Sequence, residues 1–183
     1  MATETLYFSD EGEVSNCTLG GSSVIGSYDS VTRTFGPTGS GDWYGGGGVD
    51  DTAQTPTGIV SAKARYWNSG GGSLSDDVVY FQMYDYEEGW INLQTFNSLS
   101  QIPTSEQEFD YTFWVDGEFD AATNKVTFVN SLVFRWYQAQ TKGQDDIVIS
   151  TQGIEVIYEY TPAAGLGIPI ASYHYQHNVG SNL

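Results

Sequence analysis

The chain of 183 residues is poor in cysteine, in basic residues and in long apolar runs. Each shortage excludes something. A single cysteine, Cys17, leaves no intrachain disulfide, so the fold is not a stapled secreted scaffold. Six Lys and Arg against 23 Asp and Glu give a net charge of −17. Phosphate recognition needs a basic footprint, so neither nucleic acid nor an anionic membrane is expected as a partner. No stretch approaches the roughly 20 apolar residues of a membrane span. The first ten residues have neither a basic nor an apolar signal-peptide region. The protein is therefore expected to be made in a cytoplasm and to reach its place by assembly. No segment repeats apolar residues at i, i+3, i+4, i+7, so helix is expected to be a turn or two at most.

What the chain does have is aromatic residues: 5 Trp, 13 Tyr and 9 Phe, beside 22 Gly. Aromatic and β-branched residues favour strands and glycines supply turns, which makes the expected class all-β. The clearest stretch is 145–160, two strand-forming runs separated by Ser150–Gly153 and expected to be the closing strand pair of the sandwich. There Ile154, Val156, Tyr158 and Tyr160 alternate with Glu155 and Glu159, and Pro162 ends the ladder. Further strands are expected at 58–67, 78–84, 90–96, 109–116, 126–129 and 132–138. Alternation in these runs puts Phe109, Tyr111, Phe113, Leu132, Phe134, Trp136, Ile154, Val156 and Tyr158 in the core. About eight strands suffice for an antiparallel β-sandwich.

Three parts follow from this pattern. Residues 1–57 form an irregular Gly/Ser-rich segment with short strands at 5–8, 14–19, 23–28 and 31–35, packed on the sandwich or on a neighbour. Its stretch 36–56 reads as a flexible surface loop in which Trp43 and Tyr44 need a surface to bury against. Residues 58–160 form the sandwich. Residues 161–183 form an extended arm holding both histidines, and its assembly residues are Ile168, Ile170, Tyr173, His174, Tyr175 and His177.

The chemistry-bearing residues do not assemble into a catalytic motif. There is no Gly-x-Ser-x-Gly elbow, and the only histidines lie beyond the sandwich. The four glycines at 45–48 lack the Lys-Ser or Lys-Thr of a phosphate loop. His174 and His177 have no third clustered metal ligand. The acidic turns at 76–77 and 85–88 have carboxylates for calcium but not EF-hand spacing, and solvated turns explain them more simply. The expectation is a protein without enzymatic activity, cofactor or metal. Trp43, Tyr44, Trp67, Trp90, Trp114 and Tyr137 are candidates for stacking on a glycan or for an interface, since aromatic residues dominate both.

Three stretches carry a resemblance: Gly-Ile-Val-Ser-Ala-Lys-Ala-Arg-Tyr-Trp at 58–67, Leu-Val-Phe-Arg-Trp-Tyr-Gln at 132–138 and the closing run at 145–160. Together they resemble the jelly-roll or galactose-binding-like sandwiches of tailed-phage virion proteins. The resemblance implies a jelly-roll-like sandwich in a non-enzymatic capsid, neck, tail or fibre component. Such a component would act through homo-oligomeric assembly with copies of itself and other virion proteins, and would reside in the virion. The acidity would fit a salty environment, where surface charge is screened over a few ångströms. The second function class is a carbohydrate-binding module, with a host-surface glycan as its partner.

Overall fold

The computed structural model describes residues 1–11, 13–26, 28, 30–37, 43–70, 78–139 and 147–162. Their strands form two antiparallel sheets, and the protein is a β-sandwich. The six-stranded sheet is built on β11 (Val148–Tyr160) and β6 (Pro56–Gly70), which pair along almost their whole length. β9 (Gln107–Asp110) lies on the far side of β6. On the other side of β11, β1 (Ala2–Tyr7) pairs with its second half and β4 (Arg33–Pro37) with its first, and β3 (Cys17–Gly21) extends β4. The second sheet runs β2 (Glu13–Ser15), β5 (Trp43–Gly48), β10 (Val133–Ala139), β7 (Val78–Asp85), β8 (Gly89–Phe96).

The core lies between the sheets. Ala62, Ala64 and Tyr66 of β6 and Ile154, Val156 and Tyr158 of β11 face Phe81 and Met83 of β7 and Phe134 and Trp136 of β10, all fully buried. The Tyr66 ring meets Phe81 at 5.2 Å and Trp136 at 5.6 Å between centroids, so aromatic contacts bridge the two layers. Along β6 every second residue is buried from Ala62 onward, but the alternation slips before it. Ile59 is buried and Val60 is 47% exposed, because the pairing with β11 shifts register between Ile157 and Tyr158.

Several expectations are corrected. First, the stretch 36–56 is not simply a loop: β5 lies inside the second sheet, between β2 and β10. Its glycines admit close neighbours. A Cβ at Gly45 would stand 2.2 Å from the Phe35 ring, and one at Gly46 would stand 2.0 Å from the Phe134 carbonyl oxygen. Second, the strand expected at 109–116 stops at Asp110. The Asp110 carboxylate accepts the Thr112 N–H at 2.9 Å, turning the chain into helix α1 (Thr112–Ala121). Tyr111, Val115 and Phe119 recur every four residues on the buried face. Phe113, assigned above to the core, points outward and is 82% exposed. Third, 126–129 is helical, in α2 (Lys125–Asn130). Asn124 caps it by accepting the Thr127 N–H at 3.0 Å. The helices thus exceed the turn or two expected. No strand runs through the described residues 23–26.

Candidate functional site

The two outward faces of the sandwich differ in chemistry. On the six-stranded sheet Lys63 pairs with Glu108 at 3.0 Å, and Arg65 pairs with Glu106 at 3.2 Å and Glu108 at 3.1 Å. The Glu108 carboxyl is held below its ordinary range, chiefly by the Lys63 hydrogen bond. These are exposed, screened pairs that contribute little individually. On the five-stranded sheet the outward positions are aromatic and amide-bearing.

That second face is ordered by strand register. Tyr137 of β10 lies opposite Tyr80 of β7, which lies opposite Thr95 of β8. Two residues along, Arg135, Gln82 and Asn92 form the next row, and beyond them Val133, Tyr84 and Trp90 form a third. A register shift between Phe81 and Gln82 realigns β8, so that Trp90 stands across from Tyr84. The Tyr80 and Tyr137 rings stack at 5.7 Å and 17°. Tyr84 and Trp90 meet edge-on at 5.3 Å. Between the two pairs, Arg135 Nε donates to Gln82 Oε1 at 2.7 Å, and Gln82 Nε2 donates to Asn92 Oδ1 at 2.7 Å. The Arg135 guanidinium also lies over the Trp90 ring, 3.4 Å from its centroid, and 5.4 Å from that of Tyr137.

The result is a polar chain across three strands, flanked by two half-buried aromatic pairs. Both amides and the guanidinium are fixed by one another, so the face is preorganised. Opposite Arg135 and Val133 on β5 stand Gly46 and Gly48, so β5 adds no side chain of its own to these two rows, and the Asp10 carboxylate accepts the Gly48 N–H at 2.9 Å. Aromatic faces attract the positive C–H side of an apolar surface, and amides exchange hydrogen bonds with hydroxyls. A ligand with one C–H face and a hydroxyl rim matches both.

Of the aromatic residues singled out in the sequence, Trp90 and Tyr137 come together on this face. Tyr44 is the β5 register partner of Tyr137, and Trp43 that of Gln138; their side chains lie outside what the structure describes. Trp67 is elsewhere, half-buried on β6 opposite Ser150. Trp114 is in α1, 54% exposed, against Phe113. Ile168, Ile170, Tyr173, His174, Tyr175 and His177 fall outside the described residues, as does the acidic turn at 76–77. In the turn at 85–88, Asp85 is buried and its Oδ1 accepts the N–H groups of Glu87 and Glu88 at 2.6 and 2.9 Å. Among the described residues no three His, Cys, Asp or Glu side chains are placed to hold a metal ion. Sequence reasoning passed over Tyr80, Gln82, Tyr84, Asn92 and Arg135. The alternation of Tyr80, Gln82 and Tyr84 against Val79, Phe81 and Met83 was the available signal.

No helix among the described residues is long and apolar enough to cross a membrane. No family model and no curated protein matches the sequence. Similar solved structures include a family 30 carbohydrate-binding module of a cellulosomal cellulase of Clostridium thermocellum. It has 15% identity and a TM-score of 0.41, covering 82% of this chain and 90% of that one. A second family 30 carbohydrate-binding module structure has 17% identity and a TM-score of 0.40, covering 81% and 88%. The structure of infectious bursal disease virus, Gt strain, has 9% identity and a TM-score of 0.34, covering 89% of this chain and 33% of the viral one.

Proposed function

We propose that the protein is a non-catalytic carbohydrate-binding β-sandwich whose binding surface is the outward face of β10, β7 and β8. The observation that carries this reading is the Arg135–Gln82–Asn92 chain set between the Tyr80–Tyr137 and Tyr84–Trp90 pairs. Tyr80 and Tyr84 are four residues apart on one strand, about 13 Å. Two stacking positions at that separation suit an oligosaccharide better than a single sugar. The net charge of −17 repels polyanions, so the preferred ligand is a neutral glycan.

The test is titration calorimetry or affinity electrophoresis against neutral soluble polysaccharides. Binding should be present in the parent and lost in Tyr137→Ala and Asn92→Ala without a change in fold. Neutral glycans that bind neither parent nor variants, or bind both equally, would remove the reading. A virus-particle component, the other class considered, would instead form a discrete homo-oligomer in light scattering and show no glycan titration. The two measurements together separate the classes.

A further inference from the structure

The hydrogen bonds across the outward face of the five-stranded sheet run in one direction only. A guanidinium has donors and no acceptor, so the Gln82 atom 2.7 Å from Arg135 Nε is the amide oxygen. That leaves the Gln82 amide nitrogen toward β8, and the Asn92 atom it meets at 2.7 Å must be the acceptor. Asn92 therefore turns its Oδ1 inward along the row and keeps its N–H donors for what lies on the sheet. Gln82 is buried and held on both sides, whereas Asn92 is exposed. The direction set at Arg135 is thus delivered to the surface at Asn92.

We infer that the ligand presents an amide carbonyl to Asn92, and that its class is an oligomer of N-acetylated amino sugars. The inference rests on the carbohydrate reading above and narrows it. The carbonyl oxygen of an acetamido group accepts from the Asn92 amide and brings no hydrogen that needs a partner. A sugar hydroxyl can accept there too, but its own hydrogen would face a row whose two amide oxygens already hold hydrogen bonds. The acetamido methyl has its own place in the Tyr84–Trp90 pair. Trp90 precedes Asn92 by two positions on β8, on the same face and about 7 Å away along the strand. A free amino sugar fits neither half of the site. Its ammonium would meet a donor at Asn92 and stand near the Arg135 guanidinium over Trp90.

The experiment titrates the full chain calorimetrically with a chito-oligosaccharide and with a cello-oligosaccharide of the same length. The two share their linkage and differ in acetamido against hydroxyl. The parent should bind the acetylated oligomer about tenfold more tightly, the effect of one hydrogen bond. Gln82→Glu places acceptor oxygens and no donor in the row. Asn92 must then turn its N–H groups toward position 82 and its oxygen outward, so the preference should vanish or reverse. Asn92→Asp, a surface change with no N–H to offer, should abolish the preference as well. Matching melting curves establish that each variant folds. A preference that survives in either folded variant overturns the inference, as does equal binding of the two oligomers by the parent. Binding of the cello-oligosaccharide alone overturns it and leaves the carbohydrate reading standing. Binding of neither oligomer, nor of any other neutral polysaccharide, removes both.

Discussion

At the scale of single residues, burial separates side chains that alternation alone treated as equals. Phe113 and Phe134 had the same expected role, yet one is 82% exposed and the other fully buried. Phe134→Ala is expected to cost about 3–5 kcal/mol in urea unfolding, whereas Phe113→Ala stays within about 0.5 kcal/mol. Glu118 supplies a pH-dependent case. Burial, then the charges of Glu88 and Asp85, raise its carboxyl above the ordinary value. A carboxyl raised on folding favours the folded state at low pH, and that contribution is lost as pH rises through its folded pKa. Charged Glu118 therefore destabilises the protein at neutral pH. Glu118→Gln should raise the melting temperature at pH 7, and the gain should shrink toward pH 4; a gain equal at both would contradict the assignment. The carboxyl of Asp110 behaves oppositely. Its bond from the Thr112 side chain, then that from the Thr112 backbone, lowers it. The turn it makes into α1 is stabilised above the usual carboxylate range and weakens as pH falls through its lowered pKa.

At the scale of elements, the glycines of β5 and α1 predict opposite outcomes for one chemical change. In β5, Gly45→Ala drives a methyl into Phe35, which stacks on Trp136 at 5.5 Å, and should cost about 1–3 kcal/mol. In α1, Gly117 has open space around its missing Cβ. Gly117→Ala should therefore stabilise by about 0.5–1 kcal/mol through helix propensity, read as a raised urea midpoint. These elements also mark where the sequence was legible. The run 132–138 declared itself by period two, whereas 145–160, expected as two strands parted at Ser150–Gly153, is one strand, β11, that passes the break with a register shift between Thr151 and Gly153. The run 109–116 did not declare itself, because Tyr111, Val115 and Phe119, four apart, fit both periods, and Phe113 between them is a core position only under period two. A glycine-rich strand such as β5 has no side chains to alternate, so its place inside a sheet was invisible. The aromatic face was half legible for a related reason. Trp90 stood out by composition, whereas its juxtaposition with Arg135 depends on a bulge between Phe81 and Gln82 that no local pattern encodes.

For the whole molecule the net charge of −17 dominates. The ion pairs on the six-stranded sheet employ only a few of the 23 carboxylates, and repulsion among the rest is screened by salt. Melting temperature should rise from low salt to about molar sodium chloride; a flat or falling profile would mean that paired charges outweigh the unpaired ones. The sheet order has another reach altogether. The first strand closes on the last: the Tyr7 hydroxyl donates to Glu155 across 148 positions of chain, and β11 supplies the middle of a sheet whose other strands come earlier. A ribosome releasing this protein delivers β1, the β3–β4 pair and β6 before β11, the strand that joins them. The edges of β1, β4 and β6 that β11 occupies must wait unpaired until residues 148–160 emerge, and refolding is expected on the slow, millisecond-to-second side for its size. The price of a centre made last is a nascent chain that depends on being kept from its neighbours.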